Sequence, residues 1–208
     1  EKTVRLGSSS IGINASDVVV IVADKGIKDE LIVPESANKI YEIDEHIMAS
    51  AAGIISDARI LVNQIRVIAQ QHRVTYDAPI DIETTILELS DIKQQYTQHP
   101  GVRPFGVALM IAGKQGKITK LYNSDITGNY FEYYATAIGE NDDKIKEILR
   151  KKYRKDMKVD EAIKLSLSIF NELLKEKFDT NRLNVWLIRK QDSKLTKLTT
   201  DEIKKYSD

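Results

Sequence analysis

Hydrophobic and polar positions change period several times along the chain, and each change marks an element. Residues 8–15 alternate polar and apolar, the two-residue period of a half-buried strand. Asn14-Ala15-Ser16-Asp17 supplies turn formers. Residues 18–24 follow as a β-branched run without alternation, which predicts a strand buried on both faces and an antiparallel hairpin with the first. Residues 25–38 are polar and irregular and are broken by Pro34. Residues 39–43 and 46–51 predict two more strands around Asp44-Glu45.

The period then lengthens. Ile54, Ala58, Leu61, Ile65 and Ile68 recur at helical spacing, so a long helix is expected to open at Gly53 and run to Gln71. Ser56 and Asp57 would serve as acceptors for the unpaired amides of its first turn. Beyond Pro79 a second helix carries Ile82, Ile86, Leu89 and Ile92 on one face, and the short connection predicts antiparallel neighbours. Three strands follow at 105–112, 118–123 and 130–134, the last two separated by a turn-rich stretch, 124–128. Asn141 to Asp143 opens a third helix leading into Ile145, Ile148 and Leu149. A fourth spans 159–178 with Ile163, Phe170, Leu173 and Leu174 inward. A late strand covers 184–189, and Thr199-Thr200-Asp201-Glu202 reads as a capping box before a short terminal helix.

Helices thus come in pairs rather than alternating singly with strands. That order argues against a doubly wound parallel sheet and for an α+β chain of two antiparallel sheets with helix pairs outside. No repeat, linker or low-complexity segment interrupts residues 1–208, which read as a single domain.

Composition narrows the chemistry. Hydrophobic residues are 42% of the 208, which suits a globular core. Lysine plus arginine and aspartate plus glutamate number 31 each, so net charge gives no case for nucleic acid or an anionic membrane. With no cysteine, disulfides, thiol catalysis and cysteine–zinc sites are excluded. His46, His72 and His99 are scattered without ligand spacing, so no metal and no cofactor is expected. No apolar run approaches the roughly 20 residues of a membrane span, and no signal-peptide pattern is present. Lys28-Asp29-Glu30-Leu31 spells a retention signal that is read only at a C-terminus, and here it is internal. The acidic pairs Glu30/Glu35 and Asp142/Asp143 read as solvated or helix-start charges.

One stretch is unusually particular: Tyr96-Thr97-Gln98-His99-Pro100-Gly101-Val102-Arg103-Pro104-Phe105-Gly106-Val107, joining the second helix to a strand. It resembles the signature of the α subunits of the 20S proteasome, and the archaeal type most. Further motifs follow in the family's order. They are Gly7-Ser8-Ser9-Ser10-Ile11-Gly12, Lys39-Ile40-Tyr41-Glu42-Ile43-Asp44, Ala52-Gly53-Ile54-Ile55-Ser56-Asp57-Ala58-Arg59 and Ala135-Thr136-Ala137-Ile138-Gly139. The resemblance implies a four-layer αββα sandwich of the N-terminal-nucleophile hydrolase type. It also implies a non-catalytic subunit of a threonine-protease complex. Its partners would be other α subunits in a seven-membered ring, catalytic β subunits, a regulatory ATPase or other activator, and unfolded protein substrates in transit. The expected location is the cytoplasm, and also the nucleus for a eukaryotic source.

The resemblance assigns sites residue by residue. Lys39 would receive the C-terminal carboxylate of an activator tail, with Gly53 and Ile54 as backbone contacts in the same pocket. His99, Pro100, Gly101 and Val102 would line the axial channel. The family usually has Gly-Gly where this chain has Pro100-Gly101, and proline should stiffen the constriction. The family's N-terminal gate motifs would precede Glu1, so no gating residue is assigned. The alternative is a processed β-type peptidase. By resemblance Ser8 lies at the position of the nucleophile, with Asp24 and Lys39 near those of its acidic and lysine partners. Such catalysis needs a free α-amine on the nucleophile, and Ser8 follows Gly7, so no catalytic residue is assigned.

Overall fold

A computed structural model describes residues 2–27, 29, 31–192 and 194–207. Lys28 and Glu30, of the tetrapeptide and the Glu30/Glu35 pair noted above, lie outside the described residues. In chain order the elements are β1 (Ser10–Asn14), β2 (Val18–Asp24), β3 (Ile40–Asp44), β4 (Ile47–Gly53), α1 (Ile55–Tyr76) and α2 (Ile82–Gln98). Then come β5 (Val107–Gln115), β6 (Ile118–Ser124), β7 (Tyr130–Glu132), β8 (Ala135–Ile138), α3 (Asp142–Lys152), α4 (Val159–Leu174), β9 (Leu183–Arg189), β10 (Thr196–Lys197) and α5 (Thr200–Lys204).

The strands form two five-stranded sheets, ordered β10-β9-β2-β1-β8 and β3-β4-β5-β6-β7, with every pairing antiparallel. Side-chain alternation builds the layers. On β2, Val18, Val20 and Val22 pack with α3, α4 and α5, whereas Val19, Ile21 and Ala23 face the second sheet. On β5, Val107, Leu109 and Ile111 pack under α1 and α2, whereas Ala108, Met110 and Ala112 face the first sheet. Three apolar seams therefore separate four layers, and the sandwich is αββα. The run without alternation in β2 has this cause, since each face meets a different apolar layer.

Helix ends follow local chemistry. Asp81 caps α2 by accepting from the Thr84 amide at 2.7 Å and the Thr84 hydroxyl at 2.8 Å. Thr199 and Glu202 form the expected capping box of α5. On α1 the buried side is Ala58, Leu61, Val62, Ile65 and Ala69.

The fold corrects several boundaries. Gly53 does not open α1; it closes β4 at φ +122, a conformation that favours glycine. Ser56 and Asp57 do not cap α1, whose N-terminus has no side-chain cap, because Asp57 is turned to another loop. The apolar run 130–134 is not one strand. β7 ends at Glu132 in one sheet, and the chain crosses at Tyr133 and Tyr134 to begin β8 in the other. α4 stops at Leu174 rather than Phe178, because Lys175 takes φ +50 and breaks the helix. The strand expected at 105–112 is displaced to Val107–Gln115, since residues 103–106 are held against α1 instead.

Candidate functional site

Strand ends from both sheets meet at one edge of the sandwich. Ser8 precedes β1, Asp24 closes β2, Lys39 precedes β3 and Arg182 precedes β9. Ser50 stitches the sheets there, donating to the Lys39 carbonyl at 3.1 Å and sharing a hydrogen bond with the Ser10 hydroxyl at 2.8 Å. Lys39 is 8% exposed, and its Nζ donates to the Ser8 carbonyl at 3.2 Å and to the Ser8 hydroxyl. The Ser8 hydroxyl donates to the Asp24 carbonyl at 2.5 Å. The Asp24 carboxylate turns away, accepting from the Gly26 amide at 2.9 Å and from Arg182 Nη2 at 2.9 Å. Burial pushes the Lys39 pKa down, and the Asp24 charge opposes that. Above this cluster opens a cleft of about 860 Å³ lined by Lys25, Lys177, Arg182, Phe170, Leu173 and Leu174 among others. An ammonium stripped of most of its water, facing an open cleft whose walls are mostly polar, is suited to a carboxylate.

The structure thus brings Ser8, Asp24 and Lys39 together, but the Asp24 carboxylate is bonded to Gly26 and Arg182 rather than to Lys39. The serine also lacks the rest of the chemistry the peptidase alternative needs. Its nitrogen is an amide bonded to Gly7, and the Gly7 carbonyl accepts from the Glu140 amide at 2.8 Å. Its hydroxyl proton is committed to a backbone carbonyl. Ser8 has no free α-amine of its own to act as a base, and the neighbouring Lys39 Nζ donates to the hydroxyl.

Gly53 and Ile54 sit next to this cluster. A Cβ on Gly7 would lie 2.7 Å from the Gly53 nitrogen, so the residues leading to Ser8 run against Gly53. The Ile54 amide donates to the Gly106 carbonyl at 3.0 Å, and the Ile54 side chain packs on Gly106. Asp57 then holds the segment after the His99–Val102 stretch. It accepts from Arg103 Nη2 at 2.8 Å, Arg103 Nη1 at 2.9 Å and the Gly106 amide at 2.8 Å. Burial pushes the Asp57 carboxyl up, but the Arg103 and Gly106 hydrogen bonds and the Arg103 charge outweigh it and hold the group below its usual range. Two motifs far apart in sequence are therefore one structural unit.

His99, Pro100, Gly101 and Val102 form an exposed turn closed by the Val102 amide donating to the His99 carbonyl at 3.3 Å. Gly101 has φ +80, so proline and glycine occupy the two central positions a type II turn prefers. The base of the loop is closed by Tyr96 against Phe105, ring centroids 4.5 Å apart, and by the Arg103–Asp57 pair.

Sequence reasoning missed Lys93. It is 0% exposed, and its Nζ donates to the carbonyls of Val107 at 3.1 Å, Ser124 at 3.4 Å and Asp125 at 2.8 Å, and to the Ser124 hydroxyl at 3.2 Å. Burial lowers its pKa to about 7, against the pull of the Asp125 charge. The signal was present: Lys93 lies four residues beyond Leu89 and seven beyond Ile86, on the apolar face. Among the described residues no group of three or more His, Asp or Glu is arranged to hold a metal ion, and no helix is long and apolar enough to cross a membrane.

A four-layer sandwich with a serine, lysine and aspartate gathered at the strand ends defines a proteasome-type subunit. The family model described as "Proteasome subunit" matches residues 4–188, and the chain belongs to that family. Within it the chain is of the archaeal α type. It is 42% identical over 205 residues to the proteasome subunit alpha of Methanosarcina barkeri, covering 99% of this chain and 82% of that one. It is 42% identical to the proteasome subunit alpha of Pyrococcus abyssi, covering 99% and 78%. It is 41% identical over 190 residues to that of Methanopyrus kandleri, covering 91% and 77%.

Proposed function

We propose that this chain is a non-catalytic α subunit of a proteasome core. It forms the outer seven-membered ring with other α subunits, seats on peptide-cutting β subunits, and admits unfolded substrate past the turn at His99–Val102. The observation that carries this reading is the state of Ser8: a peptide nitrogen and a hydroxyl committed to backbone, beside a lysine that opens on a cleft. With the nucleophile disabled, Lys39 is left as a carboxylate receptor. The cleft would take the C-terminal tail of an activator, with the tail backbone near Gly53 and Ile54. The Ile54 amide is already bonded to Gly106, so Lys39 supplies the main anion contact.

The test is Lys39→Ala in assembled α–β particles. Rings form, small fluorogenic peptides are still cut, and activator affinity falls about 30- to 5000-fold, or about 2–5 kcal/mol. Unchanged activator affinity at physiological salt defeats the assignment of Lys39. Peptide turnover by the isolated protein that disappears in Ser8→Ala defeats the non-catalytic reading itself. As Lys39 must be protonated to bind and its pKa is lowered, affinity should decline with alkalinity sooner than an exposed lysine would allow.

A further inference from the structure

The cleft touches the N-terminal end of α3; the C-terminal half of that helix and the segment after it carry a charge concentration that the balanced composition hides. Six of the nine residues from 150 to 158 are Lys or Arg, and Asp156 is the one acid among them. Arg154 is engaged by Glu161 and lies 3.8 Å from Asp156. Among the described residues, Arg150, Lys151, Lys152 and Lys155 have no carboxylate at ion-pair distance. Beside this segment lies a hollow of about 300 Å³ between α3 and the crossover into β8, the edge strand of its sheet. Arg150 and Lys146 line it with Tyr133, Tyr134 and Tyr153, and Thr136 belongs to its lining as well.

Two features show a preformed surface rather than a solvated helix end. Tyr153 is fixed by donating its hydroxyl to the Asn14 carbonyl at 2.9 Å, and Tyr134, 60% exposed, stacks on it at 6.1 Å and 21°. Lys155 sits 4.6 Å from the centre of the Tyr134 ring. The ring that would stack a nucleobase is thus already engaged by Tyr153 and Lys155, and Glu132 in the lining would repel a continuous phosphate chain. An acidic polypeptide has no need of a free stacking face, and its uncharged positions can avoid Glu132.

We propose that this groove docks an acidic peptide segment of a partner protein. Carboxylates of the segment pair with Arg150, Lys151, Lys152 and Lys155, and one apolar side chain enters the hollow between Tyr133, Tyr134 and Tyr153. The site is independent of the cleft at Lys39.

The experiment is fluorescence anisotropy of the purified full chain, in the oligomer it forms, against a labelled peptide of six glutamates around one phenylalanine. Binding weakens as salt rises, and Arg150→Glu with Lys155→Glu reduces affinity about tenfold or more. Replacing the phenylalanine of the peptide by serine weakens it further, and Tyr134→Ser has the same effect on the protein side. All three protein positions are exposed, so circular dichroism and melting temperature should match the parent. The proposal is overturned by absence of binding at low salt, by equal binding to the charge-reversed variant, or by an oligothymidylate of matched charge binding as tightly as the peptide.

Discussion

Lys39 and Lys93 are both buried, both bonded largely to backbone carbonyl or hydroxyl oxygens, and both depressed in pKa by burial. They differ in what lies beyond the ammonium. Lys39 faces a cleft of about 860 Å³, whereas Lys93 ends in a cage formed by Val107, Ser124 and Asp125. Burial and a shifted pKa therefore do not by themselves mark a binding site; access does. One lysine is reachable from outside through the cleft, and the other ties α2 to the start of β5 and to the turn after β6.

The comparison breaks if the two respond alike to truncation. Lys93→Ala leaves three carbonyls without a donor and a cavity where the largest fully buried side chain stood, so it should lose about 3–5 kcal/mol in chemical denaturation. Leu61→Ala in α1 is the yardstick for an ordinary core deletion, at about 2–5 kcal/mol. Lys39→Ala should cost only about 1 kcal/mol of folding stability, because water can enter the cleft and replace the ammonium. A loss at Lys39 as large as at Lys93 would make both of them struts.

The next effect is in pH. The folded pKa of Lys93, about 7, lies below the ordinary lysine value of 10.5. Between those values the unfolded chain holds the extra proton, so this residue makes stability rise with pH, by at most about 1.4 kcal/mol per unit. Below pH 7 both states are protonated and its contribution is flat. Lys93→Met keeps the bulk and should remove that slope, which urea titrations at pH 7 and pH 9 would read. Asp57 tilts stability in the same direction, but in the acid range. Its carboxyl is held low, so the stability it lends is present above the ordinary carboxylate range and is lost as pH falls through the folded value. The smallest effect concerns the turn. Pro100→Gly should lower stability by about 0.5–1 kcal/mol through the unfolded chain alone, with the fold unchanged by circular dichroism.

What the sequence disclosed follows the range of the interaction. β2 was legible because both its faces are apolar, and α2 because Ile82, Ile86 and Leu89 repeat at helical spacing. The crossing at Tyr133 and Tyr134 was not, because an apolar run looks the same whether it stays in one sheet or changes sheets. β10 spans only Thr196–Lys197 and has no period to read. At the site, Ser8, Asp24 and Lys39 were nominated by resemblance, and geometry brought them together. Asp57 was read locally, as a helix cap, whereas its partners Arg103 and Gly106 are 46 and 49 residues away. Arg182 was missed for the same reason, lying 158 residues from Asp24.

The Arg103–Asp57 pair has a mechanical consequence. A polypeptide dragged past the tip at Pro100 and Gly101 would pull on a turn whose two ends are anchored differently. On one side the chain runs directly into the last turn of α2. On the other, Arg103 and Gly106 hand the tension to Asp57 in the first turn of α1, and Val107 hands it to the ammonium of Lys93. The tip has short, tethered ends and little slack, so it resists the pull as a stiff rim, and the force spreads into both helices of one outer layer.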